Sequence, residues 1–176
     1  YHRSSWQLNW TSVALSLSGK NLTCTRGSTT LFAAFNFHLK AGDAMVVRGP
    51  NGSGKSSLLR LAAGFLSPTN GELRRDGSLV YDDPSKHLTS LHYISHLDSL
   101  KPSLTVAENL KFWSHLLADR NSPSTSADNA QALNRLSLSA LADMPTHFLS
   151  AGQRRRLVLA RLVAVSRPLW LLDEPT

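Results

Sequence analysis

Apolar and polar positions alternate in the first part of the chain, which is the pattern of strands with one buried face. The alternation over Val13 to Cys24 is offset near Gly19-Lys20-Asn21, which predicts either one strand with a bulge or two short strands. Leu31 to Leu39 predicts another strand, turned by Ala41-Gly42-Asp43, and the apolar run Ala44 to Arg48 predicts a buried strand. Early strands followed by alternating strands and helices predict an α/β core with an antiparallel β subdomain in front.

Two later segments carry apolar residues at helical spacing. Thr105 and Glu108 form a capping box, in which each side chain satisfies a backbone N–H of the other residue, so a helix should start there. One face of this helix carries the apolar residues Val106, Leu110, Trp113 and Leu117. A polar loop over Asn121 to Ser126 follows, and a further short helix is marked by Ala130, Leu133 and Leu136.

A glycine-rich segment lies between the apolar run and a helical run that begins near Ser56. It matches G-x-x-x-x-G-K-[S/T] at every fixed position. Glycines let backbone N–H groups surround phosphate oxygens, and the helix N-terminus adds its positive dipole end. Lys55 would bring a full charge to the β and γ phosphates, and the Ser56 hydroxyl would ligate Mg²⁺. The candidate nucleotide-binding residues are Gly49, Pro50, Asn51, Gly52, Ser53, Gly54, Lys55, Ser56 and Ser57.

A second apolar run, Pro168 to Glu174, ends in two carboxylates. A core strand with this pattern delivers acids to an active site. Asp173 is placed to hold Mg²⁺, directly or through water, and Glu174 is placed to act as the catalytic general base on the attacking water. Taken alone, the pair also allows a solvated strand end. A phosphate loop by itself leaves kinases, GTPases and transport ATPases open.

A third motif, Leu149 to Gln153, lies between the other two and leads into a helical run. Ser150 and Gln153 form a capping box, so a helix should start at Ser150. The small residues Ala151 and Gly152 leave the helix N-terminus open to an incoming phosphate. Taken alone, this motif also allows a well-capped surface helix.

Composition narrows the classes of function. With 176 residues and 41% hydrophobic content, the chain fits one globular domain with a sizeable core. It has no apolar stretch near the ~18 residues of a membrane span. The single Cys24 excludes an internal disulfide and a cysteine metal cluster. The net charge of +7 invites a nucleic-acid interpretation, but basic residues are dispersed except at Arg154 to Arg156. A solvated helix face explains that run, so no nucleic-acid partner is expected.

The three motifs, in this order, resemble those of ABC-type ATPases. The resemblance runs from about Leu15 to Thr176. It implies an α/β fold of the P-loop NTPase class, with a mixed central sheet, an antiparallel β subdomain and a helical signature subdomain. It further implies a nucleotide-binding domain over 19–176, incomplete at its C-terminus, with the helical subdomain at about 105–150 and an uncertain leader over 1–18.

The same resemblance implies a site shared between two copies of the chain. ATP and Mg²⁺ would be clamped between the phosphate loop of one copy and the helix that starts at Ser150, the signature helix, of the other copy. The homodimer would then close as an ATP sandwich. Ser150, Gly152 and Gln153 would then contact ATP held by Lys55 of the second copy. The reaction would be in-line attack of water on the γ-phosphate, driven by positioning and charge neutralisation.

Within this family, the segment Tyr93 to Trp113 resembles the ATP-binding subunits of haem exporters used in cytochrome c maturation. His96 stands where most members carry a Gln that touches Mg²⁺ or its water, so it is a candidate catalytic sensor. A satisfied strand-end histidine is the alternative. The subfamily implies integral-membrane transporter subunits and a haem chaperone as partners, at the cytoplasmic face of the inner membrane. Another ABC exporter, a soluble ABC ATPase of DNA repair or translation, and a small-molecule kinase are the competing assignments.

Some positions depart from the family pattern. Arg26-Gly27 stands where an aromatic residue commonly stacks on adenine, and an Arg guanidinium would stack more weakly. The chain stops at Thr176, before the family's D-loop and switch histidine, and no Met opens it. We therefore expect a fragment that binds ATP weakly and hydrolyses it poorly.

Overall fold

The computed structural model describes residues 15–95, 97, 99–118 and 125–174. Its strands are β1 (Leu17–Arg26), β2 (Thr29–Leu39), β3 (Asn70–Arg75), β4 (Ser78–Leu79), β5 (Leu91–Ile94) and β6 (Leu169–Leu172). Its helices are α1 (Lys55–Ala62), α2 (Pro84–Thr89), α3 (Val106–Leu117), α4 (Ser126–Arg135) and α5 (Ala151–Ala164). Short 3₁₀ turns cover Val80–Asp82, Ser139–Leu141 and Thr146–Phe148. Among these helices, none is long and apolar enough to cross a membrane.

The N-terminal strands form a four-stranded antiparallel sheet in the order β2-β1-β3-β4. This confirms the predicted antiparallel β subdomain. The offset in the alternation is a bulge, because the register of β1 against β2 shifts between Gly19 and Leu22. Asn21, inside the bulge, adopts a left-handed φ of 51°. The bulge leaves β1 one continuous strand, with Leu17, Leu22 and Cys24 all buried.

The strand predicted over Ala44 to Arg48 is wrong for this structure. Residues 43–50 form no strand, and the side chain of Val46 is 74% exposed. A strand needs a hydrogen-bonded neighbour for its backbone groups. Neither of the two sheets built by the described residues places a strand beside this segment. The apolar run therefore leads into the phosphate loop without a partner in either sheet of the described residues.

The predicted C-terminal core strand is confirmed as β6, which pairs with β5 in parallel. The register sets Leu91 opposite Leu169 and Ile94 opposite Leu172. Parallel strands run in the same direction, so the residues that follow β5 and β6 emerge at the same edge. The ladder continues one step, because the Asp173 N–H donates to the Ile94 carbonyl at 2.8 Å.

Helices α3, α4 and α5 share one apolar cluster. Capping boxes start α3 at Thr105 and α5 at Ser150, as predicted, and another at Thr125 starts α4. Val106 and Leu110 are fully buried, whereas Trp113 and Leu117 on the same face are half-buried. In α4 the buried face is formed by Ala132 and Leu133, and the predicted apolar position Ala130 is exposed.

A second apolar cluster joins the antiparallel sheet to α1 and to the parallel pair. A small third cluster, formed by Ile94, Val158 and Leu162, fastens α5 to the end of the parallel pair. Helix α5 therefore contacts the helical cluster on one side and the carboxyl ends of β5 and β6 on the other.

Candidate functional site

The phosphate loop turns into α1 at Gly54, which is the helix N-cap and has φ of 95°. This left-handed backbone is accessible to glycine and strained for other residues. Space is restricted as well, because a Cβ at Gly54 would lie 3.1 Å from the Cβ of Leu31 and 3.2 Å from Cδ1 of Phe32. The loop therefore lies close against β2. The first N–H groups of any helix lack an acceptor within it, so those at the start of α1 can bind an anion.

The side chain of Lys55 folds over its own loop. Its ammonium donates hydrogen bonds to the carbonyl oxygens of Gly49 and Pro50, both at 2.9 Å. These bonds hold a positive charge above the loop. A phosphate oxygen would be a stronger, charge-assisted acceptor than either carbonyl, so the ammonium is positioned for an anion bound in the loop.

Asp173, immediately after β6, lies beside Ser56 in the first turn of α1. The Ser56 hydroxyl donates to Asp173 Oδ1 at 3.1 Å, across 117 residues of sequence. Asp173 is 3% exposed, and its second oxygen, Oδ2, has no hydrogen-bond partner among the described residues. Buried carboxylate oxygens are usually satisfied, so an orphan of this kind calls for an explanation such as an ion.

This donor set fits Mg²⁺. Magnesium binds proteins through one or two oxygen side chains, and the substrate's phosphates and water complete its octahedral shell. The Ser56 hydroxyl and the Asp173 carboxylate supply these oxygens next to the phosphate loop. The two residues that the sequence predicted as metal ligands therefore lie in contact with each other.

Glu174, the predicted general base, is exposed and lines the same cavity. Its φ of 50° is left-handed, an uncommon conformation for a residue with a side chain. The cavity has a volume of about 410 Å³. Its walls are Arg26, Leu31, Asn51, Gly52, Gly54, Lys55, Ser56, Ser57, Asp173 and Glu174.

Most of the predicted loop residues line this cavity, and the rest belong to the same loop. Gly49, Pro50 and Ser53 complete the turn: the Ser53 N–H donates to the Pro50 carbonyl at 3.2 Å, and a Cβ at Gly49 would approach the Ser53 hydroxyl to 2.7 Å. Ser57 is buried. The candidate sensor His96 lies outside the described residues.

The signature residues are not part of the cavity. Ser150 caps α5 by accepting from the Gln153 N–H at 3.2 Å, and Gln153 Oε1 accepts from the Ser150 N–H at 2.7 Å. Within the part of the chain that the structure describes, a Cβ at Gly152 would meet nothing within 4 Å. Ser150, Gly152 and Gln153 thus form an accessible helix start, separate from the phosphate loop of the same chain.

The arginine run after the signature is not the solvated face expected from the sequence. Each of its side chains is half-buried and hydrogen-bonded to backbone carbonyls. Arg154 donates to the Leu149 carbonyl at 2.7 Å, and Arg156 donates to the Leu136 carbonyl at 3.1 Å. The acceptors of Arg155 lie at the ends of β5 and β6. The charge of the run is therefore directed inward, because strand and helix ends present carbonyls that need donors.

Two wall residues of the cavity come from the antiparallel sheet. Arg26, which the sequence suggested as a weak base-stacking residue, is exposed at the end of β1. Leu31 was not anticipated, because a half-buried leucine on an alternating strand carries no local signal of a binding site. Only the approach of the loop to β2 brings it to the cavity.

A buried histidine lies two positions before Ile94 on β5. His92 is 2% exposed, and its Nε2 lies 2.7 Å from the Val165 carbonyl, so Nε2–H must be the donor. Burial lowers the pKa of His92 from 6.5 to about 4, the bond to Val165 opposes this, and the charges of Arg167 and Arg161 lower it further. The ring is therefore neutral at physiological pH, and it ties β5 to the end of α5.

Comparisons with known proteins agree with this geometry. Residues 32–176 match the ABC transporter family. The chain is 52% identical over 159 residues to the cytochrome c biogenesis ATP-binding export protein CcmA of Paramagnetospirillum magneticum, covering 90% of this chain and 73% of that one. For the protein of the same name from Rhodospirillum rubrum the identity is 48%, covering 90% and 66%. The chain thus spans about two thirds to three quarters of these relatives.

Solved structures show the same fold at lower sequence identity. A putative ABC transporter ATP-binding protein from Pyrococcus furiosus superposes with a TM-score of 0.79 at 21% identity, covering 91% of this chain and 76% of that one. A bacterial Atm1-family ABC exporter with ATP bound also gives 0.79 at 21% identity, covering 92% and 30%. These likenesses confirm the predicted fold class.

Proposed function

Because the chain belongs to the ABC transporter family, whose members hydrolyse ATP, we propose that it is the energy-coupling subunit of an export complex in cytochrome c biogenesis. The observation that carries the catalytic part is the contact of Ser56 with the buried Asp173, in the cavity that also holds Lys55. The names of the two relatives support export over DNA repair or translation.

ATP binds with its phosphates at the start of α1. The loop N–H groups and the ammonium of Lys55 hold the phosphate oxygens, and Lys55 exchanges its two carbonyl acceptors for phosphate. Ser56 and Asp173 would hold Mg²⁺, which would neutralise charge on the phosphates. The Glu174 carboxylate orients and deprotonates the attacking water for in-line displacement at the γ-phosphate.

The active unit is a homodimer. Ser150, Gly152 and Gln153 present an accessible helix start that does not line the cavity of its own chain. A helix N-terminus favours anions, so it completes the ATP site of a second copy. The helical signature subdomain at about 105–150 carries this helix start.

The partners follow from the export assignment. Integral-membrane transporter subunits provide the translocation path, and the chain docks on them peripherally at the cytoplasmic face of the inner membrane. Haem is the proposed cargo and a haem chaperone a further partner, since cytochrome c biogenesis attaches haem to protein. His96 is the proposed sensor that relays nucleotide state to the membrane subunits.

The test is purification of the full-length tagged protein from host membranes in gentle detergent. We expect small integral-membrane subunits and a haem-binding protein to co-purify, and the preparation to hydrolyse ATP. Lys55→Ala should abolish binding of a fluorescent ATP analogue, and Glu174→Gln should trap an ATP-bound dimer in sedimentation. Each change removes a single function of the site.

Two results would contradict the proposal. Recovery with ribosomes or DNA and without membrane subunits would leave the ATPase chemistry and refute the export role. Unchanged nucleotide binding by Lys55→Ala would refute the assignment of the phosphate loop itself.

A further inference from the structure

Arg155 is placed where the signature helix meets the ends of the two parallel strands. It lies in the second turn of α5, five residues after Ser150, and its side chain is half-buried. Its Nη1 donates to the Ser95 carbonyl at 3.1 Å. Its Nη2 donates to the Glu174 carbonyl at 2.5 Å, with the Asp173 carbonyl at 3.4 Å.

These acceptors lie just beyond the parallel ladder. The last ladder bond runs from the Asp173 N–H to the Ile94 carbonyl. The next carbonyls, those of Ser95 and of the acidic pair, lie past the paired strands β5 and β6. An arginine presents several donors in one rigid plane, so a single guanidinium can span two chain ends that a lysine would contact at one point.

One of these acceptors belongs to a backbone in an uncommon conformation. Glu174 has φ of 50°, and such residues persist when their surroundings hold them, most often at functional sites. The hydrogen bond from Arg155 to the Glu174 carbonyl restrains the backbone of Glu174. The position of that backbone sets where the Glu174 side chain begins. Glu174 also lines the cavity of the phosphate loop.

We propose that Arg155 is a positioning residue for ATP hydrolysis: it fixes the Glu174 backbone against the signature helix, so that the carboxylate is correctly placed when that helix is seated. This inference rests on the proposed ATPase function and adds the residue that joins the signature helix to the general base. Through Arg155, a shift of α5 moves the backbone of Glu174. When the start of α5 engages the nucleotide held by a second copy, the effect thereby reaches Glu174, the general base of its own chain.

The experiment compares Arg155→Ala and Arg155→Lys with Arg156→Ala in the full-length protein with its membrane subunits. Arg156 is a matched control, because it is the next residue of the same helix and also donates to a carbonyl, that of Leu136. We expect Arg155→Ala to lower kcat about tenfold to a hundredfold, the range for a misplaced catalytic group, with the Kd for ATP within about twofold. Arg155→Lys should recover part of kcat, and Arg156→Ala should retain it.

A double-mutant comparison separates positioning from general loss of structure. In the Glu174→Gln background, adding Arg155→Ala should cause little further loss of the single-turnover rate, because the group that Arg155 positions is already absent. If Arg155→Ala does not fold, kcat and the Kd for ATP are measured on Arg155→Lys instead.

The inference is overturned if Arg155→Lys retains full kcat, or if the Kd of Arg155→Ala for ATP rises as much as its kcat falls. It is also overturned if the losses of rate from Arg155→Ala and Glu174→Gln simply add in the double variant. These outcomes are distinguishable from failure of the proposed function, in which the unaltered complex would not hydrolyse ATP at all.

Discussion

The buried His92 makes the stability of the fold depend on pH in a calculable way. Its pKa is about 4 in the folded chain and 6.5 when exposed, so the unfolded chain binds a proton at pH values where the folded chain does not. The contribution is fully present above pH 6.5 and is lost as the pH falls toward 4. The difference between the two pKa values, at about 1.4 kcal/mol for each pKa unit, is about 3.4 kcal/mol in the free energy of unfolding.

Most of that loss, about 2.5 kcal/mol, is expected by about pH 4.5. The assay is urea unfolding followed by tryptophan fluorescence, with the unaltered chain and His92→Gln compared at about pH 7.5, 6 and 4.5. The glutamine keeps an amide donor for the Val165 carbonyl but does not titrate. Carboxylates and the second buried histidine, His87, are common to both chains and cancel in the comparison.

At neutral pH we expect His92→Gln to be the less stable chain, because glutamine fills the ring's site imperfectly. The difference in free energy of unfolding between the two chains should narrow by about 2.5 kcal/mol between about pH 7.5 and 4.5, since only the unaltered chain loses the His92 contribution. A difference in stability that stays constant to within about 0.5 kcal/mol would contradict this prediction, because that result requires His92 to have the same pKa in the folded and unfolded chains.

Three further substitutions test the packing around the site and in the helical cluster. Gly54→Ala should lower the free energy of unfolding by about 2–4 kcal/mol, from left-handed strain and crowding against Leu31. Gly52→Ala should lower it by about 1–2 kcal/mol from strain alone, because no described residue lies within 4 Å of a Cβ at Gly52. Equal losses in urea unfolding would show that the crowding has no effect. Leu110→Ala should lose about 2–5 kcal/mol, because Leu110 is 1% exposed in the helical cluster, and a thermally unchanged variant would contradict that packing.

Features that depend on residues close in sequence were predictable. The capping boxes at Thr105 and Ser150 join residues three positions apart, so the starts of α3 and α5 follow from local chemistry. The phosphate loop is local in the same sense, because glycine and lysine positions define the turn into α1. The bulge in β1 was visible as a break in the alternation near Asn21.

Features that depend on partners distant in sequence were not predictable from local patterns. The run Ala44 to Arg48 has the composition of a strand, but a strand exists through its neighbour, and the described residues place none beside it. The arginine run was assigned to solvent on charge alone. The acceptor of Arg156 lies 20 residues away, and the Ser95 carbonyl lies 60 residues from Arg155.

The chemical groups that this protein brings to nucleotide chemistry can be identified from its amino-acid sequence. A phosphate loop and an acidic strand end are short patterns whose function follows from residue type and spacing. How these groups meet depends on the folding of the whole chain. The Ser56 hydroxyl reaches Asp173 across 117 residues, and the left-handed Glu174 is held by an arginine of the signature helix. The physical reason is that a burial or a hydrogen bond between distant segments depends on how the whole chain packs, which local pattern does not encode.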